Sequence, residues 1–161
     1  MRHAYAGVFI GKEKNVPEDM NRKLEPEGIV AAQNLADYLS DNDMVPNAIR
    51  FSPIKRAKQT AKILGDAFGM KPIEDQNLEM TKPVGQAIKL LAADPSQKRI
   101  LLVSHSDAIQ KALVSLNDLD PNDVDPFATS ELRVFDVKRK DGSWDEIDRV
   151  LPSDLGGKDY F

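Results

Sequence analysis

Two short apolar runs, Ala48–Phe51 and Ile100–Val103, each lead straight into a segment with helical periodicity. This succession constrains the chain more than any other feature it carries. Ile100–Val103 is a continuous apolar run preceded by charge, the pattern of a strand buried on both faces, and such strands belong to parallel sheets covered by helices. Ala48–Phe51 is apolar apart from Arg50 and runs into Ser52-Pro53, which reads as a turn and cap for the helix that follows. That helix carries Ala57, Ala61, Leu64 and Phe68 on its inward face and ends near Gly69. The helix after Val103 is expected over about Asp107 to Leu116.

The rest of the chain continues the alternation. Pro26 suits the first turn of a helix in which Ile29, Ala32, Leu35, Ala36 and Leu39 share one face. The acidic stretch Ser40–Asp43 and Pro46 end it. Pro72–Glu74 is a short strand candidate, and Val84–Ala93 a helix stopped by Asp94-Pro95. Residues 117–127 are rich in Asp, Asn and Pro and are expected to be loop. Leu132–Val137 and Trp144–Val150 flank Asp141-Gly142, a strong hairpin signal, with Trp144 expected to pack in that hairpin. The last residues, LPSDLGGKDYF, are expected to be loosely attached. With no internal repeat or long linker, the expectation is one domain over residues 1–161. Its fold class is α/β: a three-layer sandwich with a mostly parallel central sheet flanked by helices and an antiparallel pair near the end.

Composition excludes several function classes. The 161 residues include 22 basic and 26 acidic side chains, a net charge of −4. These charges are interspersed, so the broad basic field that nucleic-acid binding needs is not expected. No apolar run approaches the roughly 18 residues of a membrane span. The first residues, MRHAYAGVFIGKEK, do not resemble a secretory signal, and the expected location is the cytoplasm. With no cysteine, disulfides, thiolate zinc sites and cysteine nucleophiles are excluded.

Only two histidines are present, His3 and His105, and both stand in informative places. In an open α/β sheet, ligands bind beyond the carboxyl ends of the strands. His105 lies just past the Ile100–Val103 strand, and Arg56 in the first turn of the helix leaving the Ala48–Phe51 strand. Both therefore point towards the same sheet edge. If Arg2 and His3 join them, the set can handle a phosphoryl group. Guanidinium groups match phosphate oxygens and stay charged, while an imidazole with a free nitrogen can attack phosphorus. The two arginines beside His3 and His105 would oppose a bound dication, so no metal site and no cofactor are expected.

The segments around these residues resemble a known family. MRHAYA (Met1–Ala6) resembles the Arg-His-Gly or Arg-His-Ala signature of the histidine phosphatase superfamily, also called phosphoglycerate mutase-like. FSPIKRAKQTAKIL (Phe51–Leu64) is similar to its Ser-Pro-x-x-Arg-Ala-x-Gln-Thr-Ala segment, and LLVSHSDAI (Leu101–Ile109) to its second histidine motif. RKLEPEG (Arg22–Gly28) resembles the Arg-x-Leu-Thr-x-x-Gly segment of the short, SixA-like members. The similarity in order and spacing extends from residue 1 to about residue 150.

The resemblance implies that His3 is a nucleophile forming a transient phosphohistidine. Arg2 and Arg56 would clamp the phosphoryl oxygens, with His105 adding a hydrogen bond or charge. Arg22 matches an arginine that reaches the same pocket, and Glu79 lies where larger members place an acid for the leaving group. Ala4 in place of glycine favours the SixA-like branch, and Glu25 replaces a helix-capping threonine. Family members carry an apolar strand before the Arg-His pair. Its absence leads to the expectation that the natural reading frame extends upstream of Met1. Without that strand the sheet centre would be incomplete and His3 would hang near a free terminus. The implied activity is a metal-independent phosphatase. Its leading substrate is phosphohistidine on a signalling protein, with a small phosphorylated metabolite as the alternative. A non-catalytic phosphate-binding module of the same fold is the rival from another class. Neither a nucleic-acid partner nor a membrane is expected.

Overall fold

The alternation of short strands and helices produces parallel pairing, because each helix carries the chain back to the starting edge of the sheet. In the computed structural model, which describes residues 1–7, 16–82, 84–93, 98–137 and 144–161, strand β1 (Ala48–Phe51) lies between β2 (Ile73–Glu74) and β3 (Ile100–Val103), all parallel. β1 and β3 run in register from Ala48 opposite Ile100 to Phe51 opposite Val103. Their side chains alternate. Ile49, Phe51, Leu101 and Val103 enter a core with Leu35, Ala36 and Leu39 of α2 (Pro26–Asp41) and Ala57, Ala61 and Leu64 of α3 (Lys55–Ala67). The opposite face, through Leu102, packs on a smaller cluster formed by α4 (Val84–Ala93) and α5 (Ser106–Asn117). The expectation that β3 is buried on both faces is thus corrected. Ile100 and Leu102 are only half-buried, because the smaller cluster covers their side less fully.

One further helix, α1 (Val16–Asn21), has no counterpart in the sequence reading. Ser52 is not the cap of α3; Ile54 holds that position without a side-chain bond, and Ser52 Oγ accepts weakly from Ile54 N at 3.4 Å. Of residues 117–127, expected as loop, Asn117 ends α5 and the rest are loop apart from a 3-10 turn at Pro121–Asp123. β4 (Leu132–Val137) and β5 (Trp144–Val150) pair antiparallel, Leu132 opposite Val150 and Val137 opposite Trp144. Trp144 packs half-buried, tilted against Phe135. The hairpin signal Asp141-Gly142 and the helix stop Asp94-Pro95 lie outside the described residues.

The first residues do not hang free. Arg2 forms a parallel bridge with Ser104, with His3 N donating to Ser104 O at 2.9 Å and Ser104 N to Met1 O at 3.1 Å. On the other side, Arg2 N donates to Glu131 O and Ser130 N to His3 O, each at 3.1 Å. Met1–His3 therefore join the end of β3 to the segment leading into β4, and Met1 and His3 are buried. These bonds correct the expectation of a loose His3.

The expectation of a loose tail is corrected as well. Pro152–Leu155 form a 3-10 turn, Asn34 Nδ2 donates to Leu155 O, and Thr129 N donates to Tyr160 O at 2.8 Å. The Tyr160 ring stacks on Tyr5 with centroids 3.9 Å apart. Apolar contact of Leu155 with the main core and these polar ties hold the end in place. Among the described residues, no helix is long and apolar enough to cross a membrane.

Candidate active site

Each site residue sits where a strand ends or a helix begins. His3 continues the Met1–His3 bridge segment, His105 follows β3 as the N-cap residue of α5, and Arg56 is in the first turn of α3. Thr60, one turn further along α3, fixes this arrangement. Its Oγ1 donates to Arg56 O at 2.8 Å and accepts from Ala4 N at 3.0 Å, so it pins the residue after His3 to the helix bearing Arg56. Gly28 allows the same segment to cross α2. A Cβ there would lie 2.1 Å from Tyr5 O, which only glycine avoids.

The hydrogen bonds define the imidazole tautomers. His3 Nδ1 lies 2.7 Å from Ala4 O, which can only accept, so Nδ1 carries the proton. Nε2 is then the lone-pair nitrogen, and it accepts from Arg56 Nε at 2.8 Å. His105 Nδ1 faces Arg56 Nη2 at 3.4 Å, and an arginine can only donate, so Nδ1 accepts. His105 Nε2 donates to Ser52 Oγ at 2.9 Å. One guanidinium thus spans both rings, whose centroids are 5.1 Å apart. Both rings are held neutral. Burial lowers His3 well below the usual imidazole value, with His105 and Arg56 adding to the effect. Burial first, then Arg56, pushes His105 down to about 3. The N-terminal end of α5 adds a favourable dipole for an anion at this edge.

Arg2 is partly enclosed. Its Nη1 donates to the carbonyls of Phe127 and Tyr160, and its buried Nε has no hydrogen-bond partner among the described residues. An unpaired buried N–H costs about 1–3 kcal/mol, which an anion oxygen could recover. Arg22 stands at the pocket margin, donating to Ala6 O and Gly7 O and pairing with Asp19 at 2.6 Å. Glu79 is apart from the others: its carboxylate accepts from Thr81 Oγ1 at 2.9 Å. The chain near it does reach the site, since Ser104 Oγ donates to Leu78 O at 2.7 Å. Sequence reasoning missed Asp19, Thr60 and the His105 contact of Ser52. Thr60 lies within the matched Phe51–Leu64 segment, and its helical offset of four from Arg56 was the available signal. Asp19 lies in the stretch between Ala6 and Arg22, which matched no motif. Among the described residues, no group of three or more His, Asp or Glu side chains is arranged to hold a metal ion.

Two histidines and two arginines gathered at the carboxyl edge of a parallel sheet, without acidic metal ligands among the described residues, are the equipment of an oxyanion-handling site. The model of the histidine phosphatase superfamily, branch 1, matches residues 2–81, and the chain belongs to that superfamily. Among solved structures, a proposed phosphohistidine phosphatase SixA from Agrobacterium tumefaciens is 25% identical with a TM-score of 0.72, over 94% of this chain and 95% of that one. A SixA protein histidine phosphatase bound to tungstate is 20% identical, TM-score 0.78, with 96% of each chain covered. A phosphoserine phosphatase from Entamoeba histolytica, solved with phosphoserine, is 16% identical, TM-score 0.70, covering 92% of this chain and 93% of that one. The fold is therefore phosphoglycerate mutase-like, and the likeness to SixA covers nearly the whole chain. No curated protein sequence matches it significantly.

Proposed function

We propose that the chain is a metal-independent phosphatase working through a phospho-His3 intermediate, in one domain over residues 1–161, acting on phosphohistidine of a signalling protein. The observation that carries this reading is the orientation of His3. Its protonated Nδ1 is tied to Ala4 O, which directs the lone pair of Nε2 to the guanidinium of Arg56. A phosphoryl oxygen that takes over Arg56 Nε frees that lone pair beside the phosphorus. The new bond from Nε2 to phosphorus forms as the bond to the substrate's imidazole breaks, and that ring leaves neutral, keeping the proton already on its other nitrogen. Water then attacks the phosphoryl group, the phosphorus–nitrogen bond breaks, and neutral His3 returns. Arg56, Arg2 through its unpaired Nε, and His105 stabilise charge on the equatorial oxygens, the main demand of phosphoryl transfer.

An imidazole leaving group asks less of a general acid than an alkoxide does. This suits a site where Glu79, the candidate acid, is turned towards Thr81. Hydrolysis of a small phosphorylated metabolite is the alternative, favoured by the likeness to a phosphoserine phosphatase. The two separate by comparing turnover of a phosphohistidine peptide with that of phosphoserine.

The decisive test is rapid quench with a radiolabelled phosphohistidine peptide in the presence of EDTA. Acid-labile, alkali-stable label should appear on the protein and map to His3. His3→Ala should lose the label and nearly all turnover while keeping its fold. Wild-type turnover by that variant would end the proposal, and activity that required a divalent ion would end its metal-independent form.

A further inference from the structure

One carboxylate stands among the arginines. Asp19, in α1, places Oδ1 2.6 Å from Arg22 Nη2 and Oδ2 3.3 Å from Arg56 Nη2, while its backbone carbonyl accepts from Arg56 Nη1 at 2.7 Å. Arg56 is thereby occupied on every nitrogen: Nε by His3, Nη1 by the Asp19 carbonyl, and Nη2 by the Asp19 carboxylate and His105. Burial tends to raise the carboxyl of Asp19, but Arg56 and Arg22 outweigh it and hold the group below its usual value, so it is ionised near neutral pH. The two contacts are unequal. The oxygen on Arg22 is close, and the one on Arg56 is long enough to give way to a competing anion.

We infer that Asp19 is the resident counter-charge of the phosphoryl site, a positioning residue that orients Arg56 and keeps the pocket's affinity for phosphate low. The inference rests on the proposed phosphatase reading and deepens it. A pocket with several cationic groups would bind free phosphate tightly, and affinity shared equally by product and transition state does nothing for the chemical step. A fixed negative charge paired with Arg56 lowers affinity for every bound oxyanion. Through the Asp19 carbonyl and Oδ2 it also holds the guanidinium plane across His3 and His105. Its weaker contact is the one that a phosphoryl oxygen replaces.

The test is binding of inorganic phosphate and tungstate to the wild-type protein, Asp19→Asn, Asp19→Ser and Asp19→Glu by calorimetry, with melting temperature measured alongside. Asp19→Asn and Asp19→Ser should bind both oxyanions about tenfold more tightly, ~1.4 kcal/mol, with stronger phosphate inhibition and slower turnover. Asp19→Glu should restore wild-type affinity. Tighter binding with slower turnover is a pairing that loss of a merely structural contact does not produce. Unchanged affinity in both neutral variants, or weaker affinity, overturns the inference. Asp19 is partly exposed on a short helix, and the use of both neutral variants guards against one failing to fold. If the wild-type protein binds neither oxyanion, the phosphatase proposal itself fails, and that result is distinct from variants that merely match a binding wild type.

Discussion

Arg56 is the residue on which the site turns, because its guanidinium is the only group described in contact with both imidazoles. Its burial to 3% exposure is tolerable because every nitrogen is paired. Arg56→Ala and His105→Ala should each weaken tungstate binding by about 1.5–3 kcal/mol, the usual worth of a hydrogen bond to a charged group. Calorimetric titration checks this, and wild-type affinity in either variant would place the anion site elsewhere. Both residues were legible in the sequence as a pair at one sheet edge, since each lies just after a strand that a short apolar run identifies. Arg2 and His3 were legible through their motif, but not their setting. Their anchoring depends on backbone bonds to Ser104, Ser130 and Glu131, and backbone bonding leaves no trace in side-chain periodicity.

At the scale of elements, α3 is the beam that aligns the two halves of the site. Thr60 hangs the Ala4 backbone from it, one turn from Arg56, and Gln59 Oε1 accepts from Leu24 N on the same helix. Thr60→Val keeps the shape but removes the acceptor, leaving Ala4 N buried and unpaired. We expect a loss of about 1–3 kcal/mol in denaturant unfolding, together with slower turnover as His3 shifts from Arg56. Normal turnover with lowered stability would mean that the Ala4–Thr60 bond supports the fold without setting the position of His3. The strand and helix bounds expected from patterning agree closely with β1, α4, β4 and β5, because short apolar runs and apolar periodicity mark those elements. α1 was illegible, since six residues of VPEDMN carry too little periodicity to announce a helix. The docked tail was illegible for a different reason: its ties are to Thr129, Asn34 and Tyr5, all distant in sequence.

At the scale of the molecule, the site imposes a pH dependence on the fold. His3 and His105 are buried and neutral, with exposures of 5% and 4%. Burial is the first cause in both, lowering His3 well below its usual value and His105 to about 3. In the unfolded chain each imidazole titrates near ~6.5. Above that pH neither state is protonated and the two rings leave stability unchanged. As pH falls below it, the unfolded chain takes up protons that the folded site refuses, and stability declines. Each ring contributes up to about 1.4 kcal/mol per pH unit until its folded value is reached. Asp19 acts in the same direction but in a lower window. Its carboxyl is depressed in the fold, so the stability it adds is lost only below about pH 4. Urea unfolding between about pH 7.5 and 5 therefore reads the imidazoles together with the Met1 amino group, which burial lowers to about 5. The wild-type protein should lose stability steadily across that range, and His105→Gln should lose it less steeply. Saturating tungstate should flatten the wild-type slope as well, because an anion beside the rings restores their affinity for protons. A slope that is the same in wild type, His105→Gln and the tungstate complex would mean that the acid sensitivity arises outside the site.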